Sequence, residues 1–282
     1  MRLFKYLSPE RVDILTGKRI CFSTPSNLND PFEMRPPFDE TELNKIAERF
    51  ARDELDQFID KEIKGAFSPE QIKRFDRNKL AVFRAECKRR FARSVSEALP
   101  VASERIHLSA DRAIGVLCLS ENQDDILMWA HYTSSHEGFV IEFDPEHNFF
   151  NQRRSGKDEL RYLRKVIYSE NRPTLSSKST EDMSAFLTKS KHWEYESEWR
   201  MMISLSDATE QINFQGKSFH LFEFQPQIIK SITLGCRASA VTIRNIHNAI
   251  AEDSYLSKIP IYQAAADEKR FVLNISEYIP LS

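Results

Sequence analysis

The sequence predicts an α+β fold, and three observations carry that expectation. Apolar residues alternate with polar ones at the start of the chain, as in strands. Between Thr41 and Leu99 the spacing becomes helical and the charge density rises. After Pro100 the pattern turns to strands, with three helical segments among them. We therefore expect residues 1–282 to form one α+β domain carrying a helical insertion at residues 41–99.

The elements follow in order. RLFKYL reads as a strand. SPERVDILTG reads as a helix with Ser8 at its N-cap, Pro9 at its first position and Gly17 at its end, turning Val12, Ile14 and Leu15 inward. KRICFSTP is a second strand. SNLNDPFEMRPPF, in a stretch with four prolines from Pro25 to Pro37, is a stiff loop whose Asx side chains cap their own backbone. In the insertion, Leu43, Ile46 and Phe50, then Leu55, Phe58 and Ile59, mark amphipathic helices. These break near Gly65 and restart at Ser68-Pro69-Glu70-Gln71. The basic run KRFDRNKLAVFRAECKRRFAR is read as a solvated helix face. AIGVLCLS, GFVIEFDP and LRKVIYS are strands. ENQDDILMWAHYTSSHE is a short helix with apolar Ile126, Leu127 and Trp129, and STEDMSAFLTKS a capped helix. EWRMMISL, FHLFEFQP and IKSITLGCR are strands, SAVTIRNIHNAIAED is a helix, and KIPIYQAAADEKRFVLNISEY supplies two further strands.

Composition narrows the functional classes. Lys and Arg number 40 against 42 Asp and Glu, so no global basic field advertises nucleic acid. The four cysteines are widely spaced, without a CxxC pair or a zinc-finger pattern, and read as reduced thiols. No apolar run approaches a membrane span and no signal core opens the chain, so a cytoplasmic location without a membrane partner is expected.

The densest functional signal is KHWEYESEWRMM. As a strand it puts Trp193, Tyr195, Ser197 and Trp199 on one face, and Glu194, Glu196, Glu198 and Arg200 on the other. Carboxylates that close raise one another's pKa unless a cation or ligand sits among them. Asn29-Asp30-Pro31 is a stiff turn after a strand, and Glu33 adds charge beside it. His131 and Tyr132, at a helix end, are plausible site residues. His131 and His136 lack a clear third ligand, so no metal is expected.

LFKYLSPERVDILTGKRICFSTPSNLNDPFE, LCLSENQDDILMWAHYTSSHEGFVIEFD, KHWEYESEWR and ITLGCRAS together resemble an uncharacterised bacterial family, the domain of unknown function numbered twenty-nine seventy-one. The most specific pieces are NDPFE (Asn29 to Glu33), MWAHY (Met128 to Tyr132) with Gly138-Phe139, and EWR (Glu198 to Arg200). More distantly, the opening strand, helix and strand resemble the first motif of ADP-ribosyltransferase-type folds. That likeness implies mixed, mainly antiparallel sheets with flanking helices, and NAD as co-substrate. It implies that Lys5, Tyr6 and Ser23 hold the nucleotide, with Lys5 standing where His is usual and suited to a pyrophosphate. It also implies that a late-strand glutamate touches the nicotinamide ribose: Glu198 first, with Glu196 on the same face and Arg200 holding a carboxylate or a phosphate. Asn29, Asp30, Glu33, His131 and Tyr132 complete the expected ligand-binding set. The implied activity is ADP-ribosyl transfer to a protein or nucleic-acid acceptor, or NAD glycohydrolysis, in a toxin or antiphage effector. Two other classes stay open on the residues alone. One is a metal-dependent nuclease or phosphodiesterase using Asp30, Glu33, Glu196 and Glu198. The other is a non-catalytic ligand-sensing or protein-binding module.

Overall fold

Strand β1 (Leu3–Leu7) is apolar on both faces except at Lys5, and buried accordingly. That pattern belongs to an interior strand. In the computed structural model, which describes residues 1–39, 41, 45, 55–66, 68–74, 76–176, 181–214 and 216–279, β1 lies inside an eight-stranded sheet. The other members are β3 (Ile114–Ser120), β4 (Phe139–Phe143), β5 (Leu163–Lys165), β8 (Glu198–Ser204), β11 (Ile229–Leu234), β12 (Ile261–Ala266) and β13 (Leu273–Glu277). Their order is β13-β12-β11-β4-β1-β3-β8-β5, antiparallel at every pairing except β11 with β12. β2 (Arg19–Phe22), β9 (Glu210–Phe214) and β10 (Lys217–Glu223) form a second, antiparallel sheet. β6 (Ile167–Ser169) and β7 (Thr188–Ser190) form a short parallel ribbon. The molecule is α+β with mainly antiparallel sheets, as expected.

One face of the large sheet carries the main core. Leu3, Leu7, Ile141, Phe143, Met201 and Ile232 meet Ile14 and Leu15 of α1 (Asp13–Gly17). They also meet Ile246 and Ile250 of α6 (Ala240–Ala251), and Phe22 and Phe222 of the second sheet. On the opposite face Phe4, Tyr6 and Val140 pack on Met128 and Trp129 of α5 (Ile126–Tyr132). Asp125 caps α5 by accepting from the backbone N–H groups of Leu127 and Met128.

β1 pairs with β4 along its full length but with β3 only at Phe4 and Ser120. Farther along, β3 pairs instead with the end of the second sheet, where Ser23 and Val116 exchange both backbone hydrogen bonds at 2.9 and 2.8 Å. The sheet is therefore split between β1 and β3. That split is where the site forms.

Five local expectations need correction. Helix α4 (Arg77–Ala113) runs through residue 100 instead of ending before it, so helix extends 14 residues beyond Leu99. Its last turns are anchored: Ala110 is buried and Asp111 accepts from the Ser26 N–H at 2.7 Å. Residues 182–190 hold no α-helix. A 3-10 turn at Ser184–Phe186 runs into β7, because Phe186 and Leu187 are drawn into an apolar cluster with Met202. LRKVIYS divides at Val166 into β5 and β6, which belong to different sheets. Lys191–Glu196 is a 3-10 helix, not a strand. Ser190 caps it through the His192 N–H, and it is stopped by Ser197 in the left-handed region at φ 43°. Finally, Lys18, not Gly17, takes the left-handed C-cap of α1. α2 (Leu55–Ala66) and α3 (Pro69–Lys73), the latter with its Ser68–Gln71 capping box, follow the expected pattern. Leu43, Ile46 and Phe50 lie outside the described residues. Among the described residues, no helix is long and apolar enough to cross a membrane.

Candidate functional site

A cavity of about 230 Å³ opens in the split between β1 and β3. Lys5 and Tyr6 line it from β1, Ser23 from the end of β2, Asn29 and Glu33 from the proline-rich loop, and Tyr132 from α5. Glu196, Glu198 and Lys189 close the far wall. Eight of the residues singled out from sequence thus meet in one space: Lys5, Tyr6, Ser23, Asn29, Glu33, Tyr132, Glu196 and Glu198. Three do not. Asp30 lines a neighbouring cavity that shares only Glu33 and Lys189 with the first. His131 is exposed on α5, one helical step from Tyr132. Arg200 has no exposed surface and sits behind the wall.

The far wall is a buried ion cluster. Lys189 donates to Glu196 Oε2 at 2.5 Å and Glu198 Oε2 at 2.9 Å, and its Nζ lies 3.4 Å from Glu33 Oε1. Arg200 forks onto Glu198, with Nε 2.6 Å from Oε1 and Nη2 3.0 Å from Oε2. It also contacts Glu33 and donates to the Phe186 carbonyl. Tyr132 donates to Glu196 Oε1 at 2.6 Å and accepts from Asn29 Nδ2 at 2.8 Å. The Glu198 backbone N–H donates to the Tyr168 hydroxyl, which ties the β6–β7 ribbon to the sheet. Three carboxylates against two cations leave this buried cluster negative when all are ionised.

Each pKa follows from that geometry. Burial pushes the Glu198 carboxyl up, against the pull of the Lys189 ammonium. Burial pulls Lys189 down, but Glu198 and Glu196 outweigh it and leave the ammonium raised overall. Burial lowers Arg200 to about 9 against the Asp30 carboxylate, so it remains a cation at neutrality. Burial and then Glu196 raise the Tyr132 hydroxyl, which therefore stays a donor. Burial, reinforced by Glu198, raises the Cys118 thiol well above its usual value, and a protonated thiol is no nucleophile.

The near wall differs. The Lys5 ammonium has three N–H donors and gives one to the Cys118 carbonyl at 3.0 Å. No carboxylate forms an ion pair with it among the described residues. The cavity therefore has an open cationic wall and a net anionic one.

Lys189 was not anticipated. It falls in the stretch 179–190 that reads as a helix, whereas in β7 its side chain is buried. Charge balance was the available signal: three glutamates at 194–198 with one nearby arginine call for a second cation if they are buried. Tyr168 was missed because LRKVIYS reads as one strand and actually divides.

Residues 128–201 match the model of a family described as protein of unknown function (DUF2971). The matched segment carries Tyr132, Lys189, Glu196, Glu198 and Arg200, and leaves Lys5 to Glu33 outside it. No curated protein and no solved structure matches the chain, so the likeness to ADP-ribosyltransferase-type folds rests on the residues alone.

Proposed function

We propose that the protein cleaves the N-glycosidic bond of NAD, passing the ADP-ribosyl group to water or to a protein or nucleic-acid acceptor. The carrying observation is the two-ended cavity: an open cation, Lys5, on one wall and the Glu196–Glu198 cluster on the other. Nicotinamide ribotide has the complementary charges, a cationic pyridinium and an anionic phosphate. Cleavage passes through an oxocarbenium-like state whose positive charge a buried carboxylate stabilises. Glu198 supplies that charge at the wall, Glu196 offers a second acceptor for ribose hydroxyls, and Lys5 takes the phosphate. The cavity is below the ~300–1,000 Å³ of drug-sized ligand sites, which suits the nicotinamide-ribose half and leaves the adenosine half at the mouth. The metal-dependent nuclease reading fits less well. Lys189 and Arg200 already occupy the centre of the acidic cluster, where a divalent cation would have to sit.

The test is nicotinamide release from NAD by the purified protein, with and without cell extract as acceptor source. Glu198→Gln is expected to lower turnover roughly a hundredfold or more while retaining the fold, because Gln keeps the side chain's volume and one carbonyl oxygen but removes the negative charge. The linkage sign agrees. With its folded pKa raised, the native state binds the extra proton, so wild-type stability falls as pH rises from the ordinary carboxylate range through the folded value. Glu198→Gln should flatten that slope in a pH series of denaturant midpoints. Lys5→Met should weaken NAD binding about tenfold or more, the worth of one charge-assisted hydrogen bond, and leave nicotinamide riboside binding unchanged. Wild-type protein that neither binds NAD nor releases nicotinamide would overturn the proposal.

A further inference from the structure

We infer that Lys189 is a positioning residue that holds Glu196 and Glu198 at a fixed separation across the cavity wall and keeps Glu198 usable as an anion. Among the described residues, Lys189 is the only group that touches all three buried glutamates. Glu196 and Glu198 come from different local structures, the end of a 3-10 helix and the first residue of β8, separated by Ser197 in a left-handed turn. The left-handed turn at Ser197 brings both side chains to one wall, where two carboxylates would repel each other unless a cation lay between them. A shared ammonium bridges them, and it stands on a third element, the β6–β7 ribbon, with its Nζ 5.1 Å from the centre of the Trp193 ring. Lys189 also lines the neighbouring cavity that contains Asp30, so it forms part of the partition between the two spaces.

The groups facing this ammonium allow no substitute. Glu33 comes from the loop, Glu196 from the 3-10 turn, and Glu198 and Arg200 from β8; Cys118 of β3 and Tyr168 of β6 also border the cluster. Arg200 is engaged on Glu198, Glu33 and the Phe186 carbonyl, and reaches Glu196 with no hydrogen bond. Removing the ammonium therefore leaves Glu196 with Tyr132 alone and places two carboxylates against each other without a bridging cation. A proton then takes the place of the cation. An opposite charge at this distance moves a carboxyl pKa by about 1–3 units, so its loss should be read directly in titration. This inference concerns the ionisation of the acids and does not depend on the identity of the ligand.

The experiment is a 13C NMR titration of glutamate carboxyls in wild type, Lys189→Met and Lys189→Arg, with Glu196→Gln and Glu198→Gln used for assignment. In Lys189→Met the Glu198 midpoint should rise by about one unit or more, and Lys189→Arg should restore at least part of that shift. Should NAD turnover be present, the acid limb of its pH profile should move up with the Glu198 midpoint. A purely structural lysine would lower the amount of active protein without moving that limb. If Lys189→Met does not fold, the 15Nζ resonance of Lys189 in wild type decides the matter: it should remain an ammonium at pH values where exposed lysines have titrated. A Glu198 midpoint unchanged in folded Lys189→Met, or a wild-type Lys189 that titrates at or below the ordinary lysine value, overturns the inference. Failure of nicotinamide release alone would overturn only the NAD assignment.

Discussion

Arg200→Met should destabilise the protein by about 3–5 kcal/mol at neutral pH, the cost of removing one partner from a buried ion pair. The guanidinium is fully buried, forks onto Glu198 and contacts Glu33. Met fills much of the volume, so the loss measures charge and hydrogen bonding more than packing. Its pH dependence has a defined sign. Burial already pushes the Glu198 carboxyl up, and without Arg200 it rises further, so the variant's native state binds a proton that the unfolded chain does not. The deficit relative to wild type should therefore shrink as pH falls toward the ordinary carboxylate range. Denaturant midpoints measured from neutrality down to pH 5 check this. A deficit that is constant with pH would mean that packing, not charge, accounts for the loss.

Gly138→Ala should cost at least about 3 kcal/mol, more than most surface changes and near the tail reached by backbone clashes. A Cβ there would lie 2.0 Å from the Leu7 carbonyl oxygen and 3.1 Å from Ser8 Cα. Both obstacles are backbone, so relief requires the end of β1 to separate from β4. The neighbouring Gly235 is equally confined, with its Cβ position 2.1 Å from the His136 carbonyl oxygen. Gly65→Ala is the matched control. That glycine lies in α2 with open space around it, so alanine should be neutral or stabilising by up to about 1 kcal/mol. Thermal unfolding of the two variants side by side tests the pair, and similar losses in both would refute the close-approach argument.

The strands β1, β3, β4, β8 and β11 were legible in sequence as short apolar-rich runs bounded by turn residues, and α6 because its apolar residues repeat at helical spacing. The stretch at 191–196 misled for a physical reason. Aromatics alternating with acids imitate a strand, but there the rings serve other neighbours: Trp193 lies beside Lys189 and near Tyr195, and the backbone turns tightly beneath them. Glu196 and Glu198 nevertheless reach one wall, by a left-handed turn at Ser197 that no periodicity announces. Asn29 and Glu33 enter the cavity while Asp30 between them faces the next one, which depends on loop geometry. The split between β1 and β3 was invisible because strand partners are a tertiary property: nothing in LFKYL states that its ladder to β3 stops at Phe4.

The pairing of residue 4 with residue 142 has a consequence for how the chain is made. During synthesis β1 emerges first, yet neither of its neighbours exists until β3 and then β4 have left the ribosome. For that interval a strongly apolar strand has unpaired backbone on both edges, the arrangement most prone to wrong partners. Such distant contacts also make folding slow, since the loop entropy is lost before the pairing rewards it. The cavity wall closes later still, when β7 and β8 deliver Lys189 and Glu198. Ligand binding is therefore a late reporter in refolding, one that should lag behind the recovery of helical circular dichroism.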